Sequence, residues 1–429
     1  MDPSTLTDSY DRPVDGRCQD PVQITAPAND LAAIVSQAEP GTCFTLAAGE
    51  YRFHNVVPKD GMSFIGAGRD EVRVLGSNQT ENAFHGTADQ VTIARMTLSG
   101  FQGTGGEKRQ EQGAIRGTRA IWASDAGEMA THWLIEDVRL ADNFATGVFL
   151  GDHFTVRNSV IENNGVTGLG GSELVGGLIE GNIVRNNGDL QATGYLANGG
   201  GMKFTQTLSP NEPLVVRGNE IHDNSGIGVW CDIACNGFHV IGNYIHDQGS
   251  RAVMFELSKN AVIRDNLMVN TNGWSDYKRD FNAAAITVGE SSDVVIENNY
   301  IDGAVSGVII RQTERPRRPQ ESFLDSYEGI TFVSSKVDVR SNVVVNTRAM
   351  GISLGTTGFG LITAPGTIRF ENNIYDNPSS MDFWWASGNR YSFADWRASG
   401  RDVANGTVPP RPSWPLDPFF TEASAADGN

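Results

Sequence analysis

The chain repeats itself at intervals of about 23 residues, and this repeat limits the possible folds more than any other feature of the sequence. Segments aligned on an asparagine read TVRNSVIENNG, LIEGNIVRNNG, VVRGNEIHDNS, VIGNYIHDQG, VIRDNLMVNTN, VIENNYIDG, VDVRSNVVVNT and IRFENNIYDN. The aligned residues are Asn158, Asn182, Asn219, Asn243, Asn266, Asn299, Asn342 and Asn373. Their spacings are 24, 37, 24, 23, 33, 43 and 31 residues, so insertions lengthen a basic unit in several places.

Each unit contains short alternating apolar runs separated by asparagine and glycine. This pattern indicates strands joined by tight turns, and the 49 glycines of the chain agree with many turns. One unit is too small to bury its apolar positions alone, but stacked units share a continuous core. Stacked coils pair at about 4.8 Å, and the recurrent asparagines can then form a hydrogen-bonded ladder. The sequence therefore predicts a parallel β-helix, an all-β solenoid.

On these segments the chain is identified as a member of the right-handed parallel β-helix superfamily, which includes pectate-lyase-like polysaccharide enzymes. The segment ANDLAAIVSQAEPGTCFTLAAGEYRF resembles the short N-terminal capping helix and first strand of that superfamily, and MSFIGAGRDEVRVLG resembles its first coil. The GAG triplet leads into a strand and not a helix, which argues against a dinucleotide loop. We therefore expect an N-terminal extension over residues 1–27, a β-helix catalytic domain over 28–380 and a C-terminal cap or tail over 381–429. Four of the eight tryptophans follow residue 380, and they favour an irregular aromatic cap over a carbohydrate platform.

The charge balance limits the partners. With 51 acidic and 33 basic residues the net charge is −18, which opposes binding to nucleic acid or to anionic membranes. The same charge argues, more weakly, against a polyanionic polysaccharide, so a neutral polysaccharide or oligosaccharide is the expected substrate. No run approaches the roughly 18 apolar residues of a membrane span. The sequence does not indicate an oligomeric state.

The four cysteines form two local pairs, Cys18 with Cys43 and Cys231 with Cys235. Such pairs suit disulfides in an exported protein, and for the second pair reduced thiols remain an alternative. Residues 1–20 contain no apolar core of a signal peptide. We expect a secreted or periplasmic protein whose leader has been removed.

A second alignment finds the strand that follows each asparagine turn: GVFLGD, GLGGSE, GMKFTQ, GVWCDI, AVMFEL, AITVGE, GVIIRQ and GISLGT. Side chains alternate between the two faces of a strand, so equivalent positions of these strands form columns. Two of the columns face inward and are apolar. One outward column contains Lys203, Trp230, Met254, Thr287 and Ile309, and the next contains Thr205, Asp232, Glu256, Gly289 and Arg311. Asp232 and Glu256 are one coil apart, so their carboxyl groups should stack about 5 Å apart. They repel each other unless cations or hydrogen bonds compensate.

This pair of acids indicates chemistry. Retaining glycosidases use two carboxyl groups about 5–5.5 Å apart, whereas inverting enzymes need about 6.5–9.5 Å. GVWCDI followed one coil later by AVMFEL resembles the site strands of β-helix glycosidases such as the glycoside hydrolase family 120 β-xylosidases, over about 60 residues. The resemblance implies that Asp232 is the nucleophile and Glu256 the acid/base; it does not extend to xylose specificity.

We therefore predict a retaining glycoside hydrolase, or a transglycosylase that uses the same covalent intermediate, with no cofactor. The expected substrate-binding residues are Lys203, Trp230, Arg311, Trp274 and Tyr277. Insertions at 188–200, 272–283 and 313–335 could build the walls of a cleft. The bland interpretation of Asp232 and Glu256 is that they are solvated surface acids.

Two further functions remain open. A polysaccharide lyase or epimerase acting on uronates would use Lys203 or Arg311 as base or carboxylate neutraliser, and a glycan-binding solenoid would use the fold as a scaffold. His222 and His246 also stack, and with Asp223 and Asp247 they could form a metal site. We favour satisfied surface histidines there, and predict no metal.

Overall fold

The structure is a computed structural model that describes residues 18, 20–28, 30–77, 80–101, 113–117, 129–188, 199–271, 284–312, 330, 332–347, 350–356, 365–376, 382–385, 389–403 and 406–414. Its helices are α1 (Leu31–Gln37) and α2 (Phe393–Ala398), with a 3-10 turn at Pro365–Thr367. No helix in these ranges is both long and apolar enough to cross a membrane.

The strands are short, most of them three to eight residues. In chain order they are β1 Val22–Ile24, β2 Cys43–Leu46, β3 Gly49–Tyr51, β4 Ser63–Gly66, β5 Val72–Leu75, β6 Phe84–His85, β7 Thr92–Ser99, β8 Gly113–Arg116, β9 Leu134–Ala141, β10 Thr146–Phe149, β11 Thr155–Arg157, β12 Val160–Glu162, β13 Thr167–Leu174, β14 Leu178–Glu180, β15 Ile183–Arg185, β16 Gly200–Thr207, β17 Leu214–Arg217, β18 Glu220–His222, β19 Ile227–Asp232, β20 Asn236–Ile241, β21 Tyr244–His246, β22 Val253–Glu256, β23 Lys259–Arg264, β24 Leu267–Val269, β25 Ile286–Gly289, β26 Ser292–Glu297, β27 Tyr300–Asp302, β28 Ser306–Gln312, β29 Ser335–Arg340, β30 Val343–Val345, β31 Met350–Thr356, β32 Ile368–Glu371, β33 Ile374–Tyr375, β34 Asp382–Trp385 and β35 Asn389–Tyr391.

These strands form two sheets, one of 23 strands and one of 12. The 12-stranded sheet runs in the order β6, β8, β10, β13, β16, β19, β22, β25, β28, β31, β34 and β35, so each coil contributes one strand to it. Among the described strands every pairing is parallel except that of β34 with β35. The predicted right-handed parallel β-helix is confirmed.

The register predicted from the sequence is confirmed along the 12-stranded sheet. Leu169 pairs with Met202, Met202 with Val229 and Val229 with Val253, and the column continues through Ile286 and Val308 to Ile352. The neighbouring inward column pairs Gly171, Phe204, Cys231, Phe255, Val288 and Ile310 in the same way. The described side chains of these columns, from Leu169 to Ile310, belong to one core that extends from Ile24 to Trp396.

Buried asparagines bind the turns together. From Asn182 to Asn342 each side-chain Nδ2 donates to Oδ1 of the asparagine in the next coil, at 2.9–3.0 Å, and Asn373 is the last acceptor of this series. Ser159 takes the ladder position in the coil before Asn182, because its N–H donates to Asn182 Oδ1. The prediction for Asn158 was therefore wrong by one residue; Asn158 is the left-handed turn residue before it, with φ 52°.

A second ladder, absent from the sequence analysis, links Asn143, Asn164, Asn187 and Asn224. In each of these links Nδ2 donates to Oδ1 of the next coil. The two ladders satisfy the side-chain amides that the turns bury, which explains why asparagine recurs at both corners.

Both ends of the solenoid are covered. At the N-terminus α1 buries Leu31 and Val35 against the core, as the sequence predicted. At the C-terminus Trp396 of α2 is fully buried and packs on Phe370 and Phe383. The predicted aromatic cap is thus present.

Beyond the cap, the C-terminal segment turns back along the 23-stranded sheet. Val408 and Trp414 pack on an outer apolar row that includes Leu267, Tyr300 and Val343. Trp414 reaches Tyr244, with ring centroids 5.5 Å apart. We call residues 406–414 the strap.

Candidate active site

Four charged side chains meet on the outward face of the 12-stranded sheet. Strand pairing places Thr205, Asp232, Glu256, Gly289 and Arg311 in one column, which we call the acid column. Asp232 lies directly opposite Glu256 on the neighbouring parallel strand, where backbones are about 4.8 Å apart. Lys203 projects from the adjacent outward column.

Each acid has a cation as partner. Lys203 Nζ lies 3.3 Å from Asp232 Oδ2, and Arg311 Nη2 lies 2.5 Å from Glu256 Oε1. The acids are buried, with 7% exposure for Asp232 and 3% for Glu256. The order of charges along the sheet is therefore positive, negative, negative, positive, and the two cations offset the repulsion between the stacked carboxylates.

Lys203 is held from two sides. Its ammonium group lies 3.8 Å from the centroid of the Trp230 ring, a cation–π contact, and it also pairs with Asp232. Burial lowers the pKa of Lys203, and the charge of Asp232 opposes this shift. The protein thus keeps a desolvated amine beside the acids.

Gly289 makes the Arg311 contact possible. It occupies the coil between Glu256 and Arg311, and a Cβ atom there would lie 2.8 Å from Arg311 Nε. The guanidinium therefore passes over Gly289 to reach an acid two coils away. The position of Gly289 in the column was predicted from the sequence, but its role was not.

The backbone beneath the acid column is fixed by a ladder of small polar side chains. Each serine hydroxyl donates to the carbonyl of the column residue in its own coil: Ser258 to Glu256, Ser291 to Gly289 and Ser334 to Arg311, at 2.6–2.7 Å. The N–H of Ser258 donates in turn to Ser291 Oγ. Sequence reasoning missed these serines, although Ser258 and Ser291 follow Glu256 and Gly289 by two residues.

A disulfide takes the equivalent position after Asp232. Cys231 and Cys235 are bonded and fully buried, and Cys235 N donates to Ser258 Oγ. Between them Ile233 and Ala234 have φ of 52° and 62°, two successive left-handed residues without glycine. Such a backbone persists only where its surroundings enforce it, and the disulfide closes this turn. Asp232 is thus anchored on both sides.

The second disulfide, Cys18–Cys43, joins the N-terminal segment to the first coils. The alternative of reduced thiols for Cys231 and Cys235 does not apply in this structure.

A small apolar cluster borders the acid column. Ile227, Trp230 and Met254 pack together, apart from the main core. The indole N–H of Trp230 is buried and has no hydrogen-bond acceptor among the described residues. Trp230 therefore offers a donor beside Lys203.

Two predicted substrate-binding residues, Trp274 and Tyr277, lie outside the described residues, as do most of the three insertions. Lys203, Trp230 and Arg311 are brought together with Asp232 and Glu256.

The histidines lie elsewhere, on the 23-stranded sheet. His222 of β18 pairs with His246 of β21, and their rings stack 4.8 Å apart, as predicted. Asp223 and Asp247 bind the Nδ1 atoms of these histidines, and Glu220 Oε1 lies 3.4 Å from Nε2 of His246.

Comparison with known proteins agrees with the fold. A family model for the right-handed β-helix region matches residues 120–283. No curated protein sequence matches the chain significantly.

Several solved structures resemble the chain over most of its length. The A-module of mannuronan C-5 epimerase AlgE6 from Azotobacter vinelandii has a TM-score of 0.57 at 14% identity, covering 81% of this chain and 87% of that one. A mannuronic acid-specific polysaccharide family 6 lyase from human gut microbiota gives 0.57 at 14%, covering 85% and 83%. The catalytic unit of a GH87 α-1,3-glucanase from Streptomyces thermodiastaticus gives 0.53 at 16%, covering 88% and 68%. At these identities the resemblance establishes the fold alone.

Proposed function

We propose that this protein is a carbohydrate-active enzyme, a retaining glycoside hydrolase or transglycosylase that acts on a neutral glycan. The observation that carries the proposal is the direct register of Asp232 with Glu256 on neighbouring strands. One strand spacing, about 4.8 Å, is close to the carboxyl separation of about 5–5.5 Å that retaining enzymes use. Buried, ion-paired acids held by a serine ladder and a disulfide differ from solvated surface acids.

In the first step an Asp232 carboxylate oxygen bonds to the anomeric carbon as the glycosidic bond breaks, and Glu256 gives its proton to the leaving oxygen. In the second step Glu256 takes a proton from water, whose oxygen displaces Asp232 from the sugar. A sugar hydroxyl in place of water completes transglycosylation. The contact from Arg311 Nη2 to Glu256 Oε1 fixes the position of the carboxyl group that performs both proton transfers.

The charges of the site favour a neutral substrate. Lys203 and Arg311 are each engaged by an acid of the protein, so a uronate carboxylate would compete with Asp232 or Glu256 for them. The chain also carries a net charge of −18. The α-1,3-glucanase with a similar fold acts on a neutral glycan, and we extend that substrate class to this protein.

A second candidate, a lyase or epimerase acting on uronates, rests on Lys203. A buried amine with a lowered pKa can abstract a proton from carbon next to a carboxyl group. The epimerase and the family 6 lyase with similar folds act on mannuronan or mannuronic acid, and for this chain that chemistry is the alternative.

Disulfides are typical of proteins in an oxidising compartment, and the two disulfides of this chain support our proposal of a secreted or periplasmic location. A glycan-degrading enzyme meets polymeric substrates there.

The proposal is tested with a panel of neutral and uronate-containing glycans. We expect the wild type to release a product with retained anomeric configuration, read by NMR, and Asp232→Asn and Glu256→Gln to lose activity about 10²–10⁴-fold. Asp338→Asn is the matched control, since it removes an ion-paired acid from the other sheet. Inversion of configuration, or full activity in both variants, would overturn the proposal. Unsaturated products, or solvent deuterium incorporated at C5, would establish the second candidate instead.

Azide rescue assigns the two roles. With Asp232→Gly, azide must attack the substrate directly and the glycosyl azide is inverted. With Glu256→Gly, azide attacks the covalent intermediate and the product is retained. The opposite pattern would exchange the roles of the two acids.

A further inference from the structure

A second cluster of chemically active side chains lies on the 23-stranded sheet, away from the acid column. Glu220 and His222 are both on β18, two residues apart and therefore on the same face. His246 lies opposite His222 on β21. One ligand atom from each of these three residues lies within 4.8 Å of the other two, and no other group of three such residues meets this limit in the described part of the chain.

Hydrogen bonds orient both imidazoles in the same way. His222 Nδ1 lies 2.7 Å from Asp223 Oδ2, and His246 Nδ1 lies 2.8 Å from Asp247 Oδ2. An ionised carboxylate only accepts hydrogen bonds, so each Nδ1 carries the proton. The lone pair of a neutral ring is then on Nε2. His246 Nε2 lies 3.4 Å from Glu220 Oε1, so a metal ion would take the place of a proton between these two atoms. Histidines that bind metals are oriented by carboxylates in this manner.

The cluster is held but remains open to solvent. Tyr244 stacks on His246 with centroids 4.2 Å apart, and Trp414 of the strap packs on Tyr244. The side-chain exposures are 16% for His222, 14% for His246 and 24% for Glu220. A dissolved ion can therefore reach the ligand atoms.

The local charge favours a cation. Three carboxylates, those of Glu220, Asp223 and Asp247, surround the two imidazoles. The next residue in the His222 column is Arg185, whose guanidinium binds Glu162 at 2.8 Å. Arg185 is therefore neutralised by Glu162, which lies in the coil on the side away from His222.

We propose that Glu220, His222 and His246 form a binding site for a divalent transition metal of the zinc class. Two imidazole nitrogens and one carboxylate oxygen are a donor set that Zn²⁺ prefers, with room for a water as fourth ligand. Bonds of about 2.0–2.2 Å require the three ligand atoms to draw closer than they lie without metal, which rotation of the side chains provides. The site is on a different sheet from the acid column and does not depend on the proposed function.

The chain contains a matched control for this site. His132 and His153 also stack with centroids 4.8 Å apart, and His132 Nδ1 contacts Asp89. His153 Nε2 is 3.7 Å from Glu212, but these residues do not form a group of three within the same limit. Both pairs of histidines stack, but only His222 and His246 lie together with a carboxylate within this limit in the described part of the chain.

The test is a calorimetric titration of the full chain with Zn²⁺ at neutral pH, after a chelator has removed any bound metal. We expect one ion per chain, binding lost or weakened at least tenfold in the H222Q/H246Q and Glu220→Gln variants, and unchanged binding in H132Q/H153Q. Asp223→Asn and Asp247→Asn should each weaken binding by about 10–100-fold, since they remove the orienting carboxylates. Circular dichroism confirms that each variant is folded.

Substitution with Co²⁺ reports the ligands directly, since its visible spectrum depends on the coordinating atoms. A spectrum that changes in Glu220→Gln supports the assignment. Absence of Zn²⁺ binding by the wild type, or wild-type affinity in a folded H222Q/H246Q variant, overturns it.

Discussion

At the scale of single residues, the acid column depends on side chains that carry no charge. Gly289 leaves the space through which Arg311 reaches Glu256, and serine hydroxyls hold the carbonyls of the column. The Cys231–Cys235 disulfide has the same effect after Asp232. Lys203 and Arg311 offset the repulsion between the two stacked acids, and these uncharged residues hold the column in the geometry that lets the ion pairs form.

Replacement of Gly289 by alanine tests this dependence. The new Cβ would lie 2.8 Å from Arg311 Nε, so the guanidinium must leave its path to Glu256. Loss of a charged hydrogen bond of about 1.5–3 kcal/mol should lower kcat/KM on the substrate found in the panel by about tenfold or more. Gly366→Ala is the control, because nothing lies within 4 Å of its added Cβ. Equal kcat/KM in the two variants would show that the Arg311 contact is dispensable.

The charged residues of the site could be predicted from the sequence, but the residues that hold them in place could not. Asp232 and Glu256 could be paired because alternation within a strand and the coil length fix their register. The path of Arg311 could not be predicted, since it depends on a rotamer that spans two coils. The serines were missed because a small hydroxyl residue in a turn has many ordinary explanations.

At the scale of strands, the solenoid is held by repeated contacts between neighbouring coils. The asparagine ladders do this inside, and ion pairs do it outside. Arg139, Glu162 and Arg185 form such a row, in which buried Glu162 accepts hydrogen bonds from both arginines, at 2.7 and 2.8 Å. The one-coil spacing of the asparagines made the first ladder predictable. The second ladder was missed although Asn164, Asn187 and Asn224 lie in aligned segments, because the later segments carry other residues, such as Gln248 and Thr271, at that position.

The row around Glu162 should make stability depend on pH. Burial raises the pKa of Glu162, but hydrogen bonds from Arg185 and Arg139 outweigh it and hold the pKa below its usual value. The folded protein thus binds this proton more weakly than the unfolded chain. The resulting stabilisation is present above the unfolded pKa and is lost as the pH falls through the folded pKa.

We therefore expect Glu162→Gln to lower the free energy of unfolding at neutral pH by about 1–3 kcal/mol, and by less in strong acid. Denaturant unfolding at several pH values measures this. Glu297→Gln, which removes an acid from a more exposed pair with Arg340, should cost less at neutral pH. If Glu162→Gln lowered the free energy of unfolding equally at every pH, the pKa of Glu162 would not be lowered in the folded protein.

At the scale of the whole molecule, the fold is a one-dimensional stack whose ends need separate solutions. The aromatic composition after residue 380 predicted a cap, but not its central polar residue. Asp402 ends the asparagine ladder by accepting from Asn373 through Oδ1, and it binds Tyr375 and Trp396 through Oδ2. No spacing rule identifies such a residue, because the chain reaches it through the irregular cap.

Asp402→Asn should weaken the C-terminal end. In the variant one carboxylate oxygen is replaced by an NH₂ group, which cannot accept a hydrogen bond. Buried donors that now bind Asp402, such as the Tyr375 hydroxyl and the Trp396 indole N–H, then lose their acceptor. We expect a loss of about 2–4 kcal/mol. In hydrogen exchange measured by mass spectrometry, protection should fall in residues 343–375 more than in residues 146–174. Asp395→Asn, an exposed change in the same cap, is the control; equal exchange in both variants would exclude this role.

The strap changes how such a stack can come apart. In a linear array each coil is coupled only to its neighbours, so the ends fray independently of the middle. Here Trp414 rests on Tyr244 and Arg411 lies 3.4 Å from Asp302, several coils before the cap. Opening of the last coils must also detach the strap from the centre of the solenoid. The C-terminal half therefore gains a coupling between distant coils, and it should behave as one cooperative unit rather than as a series of independent turns.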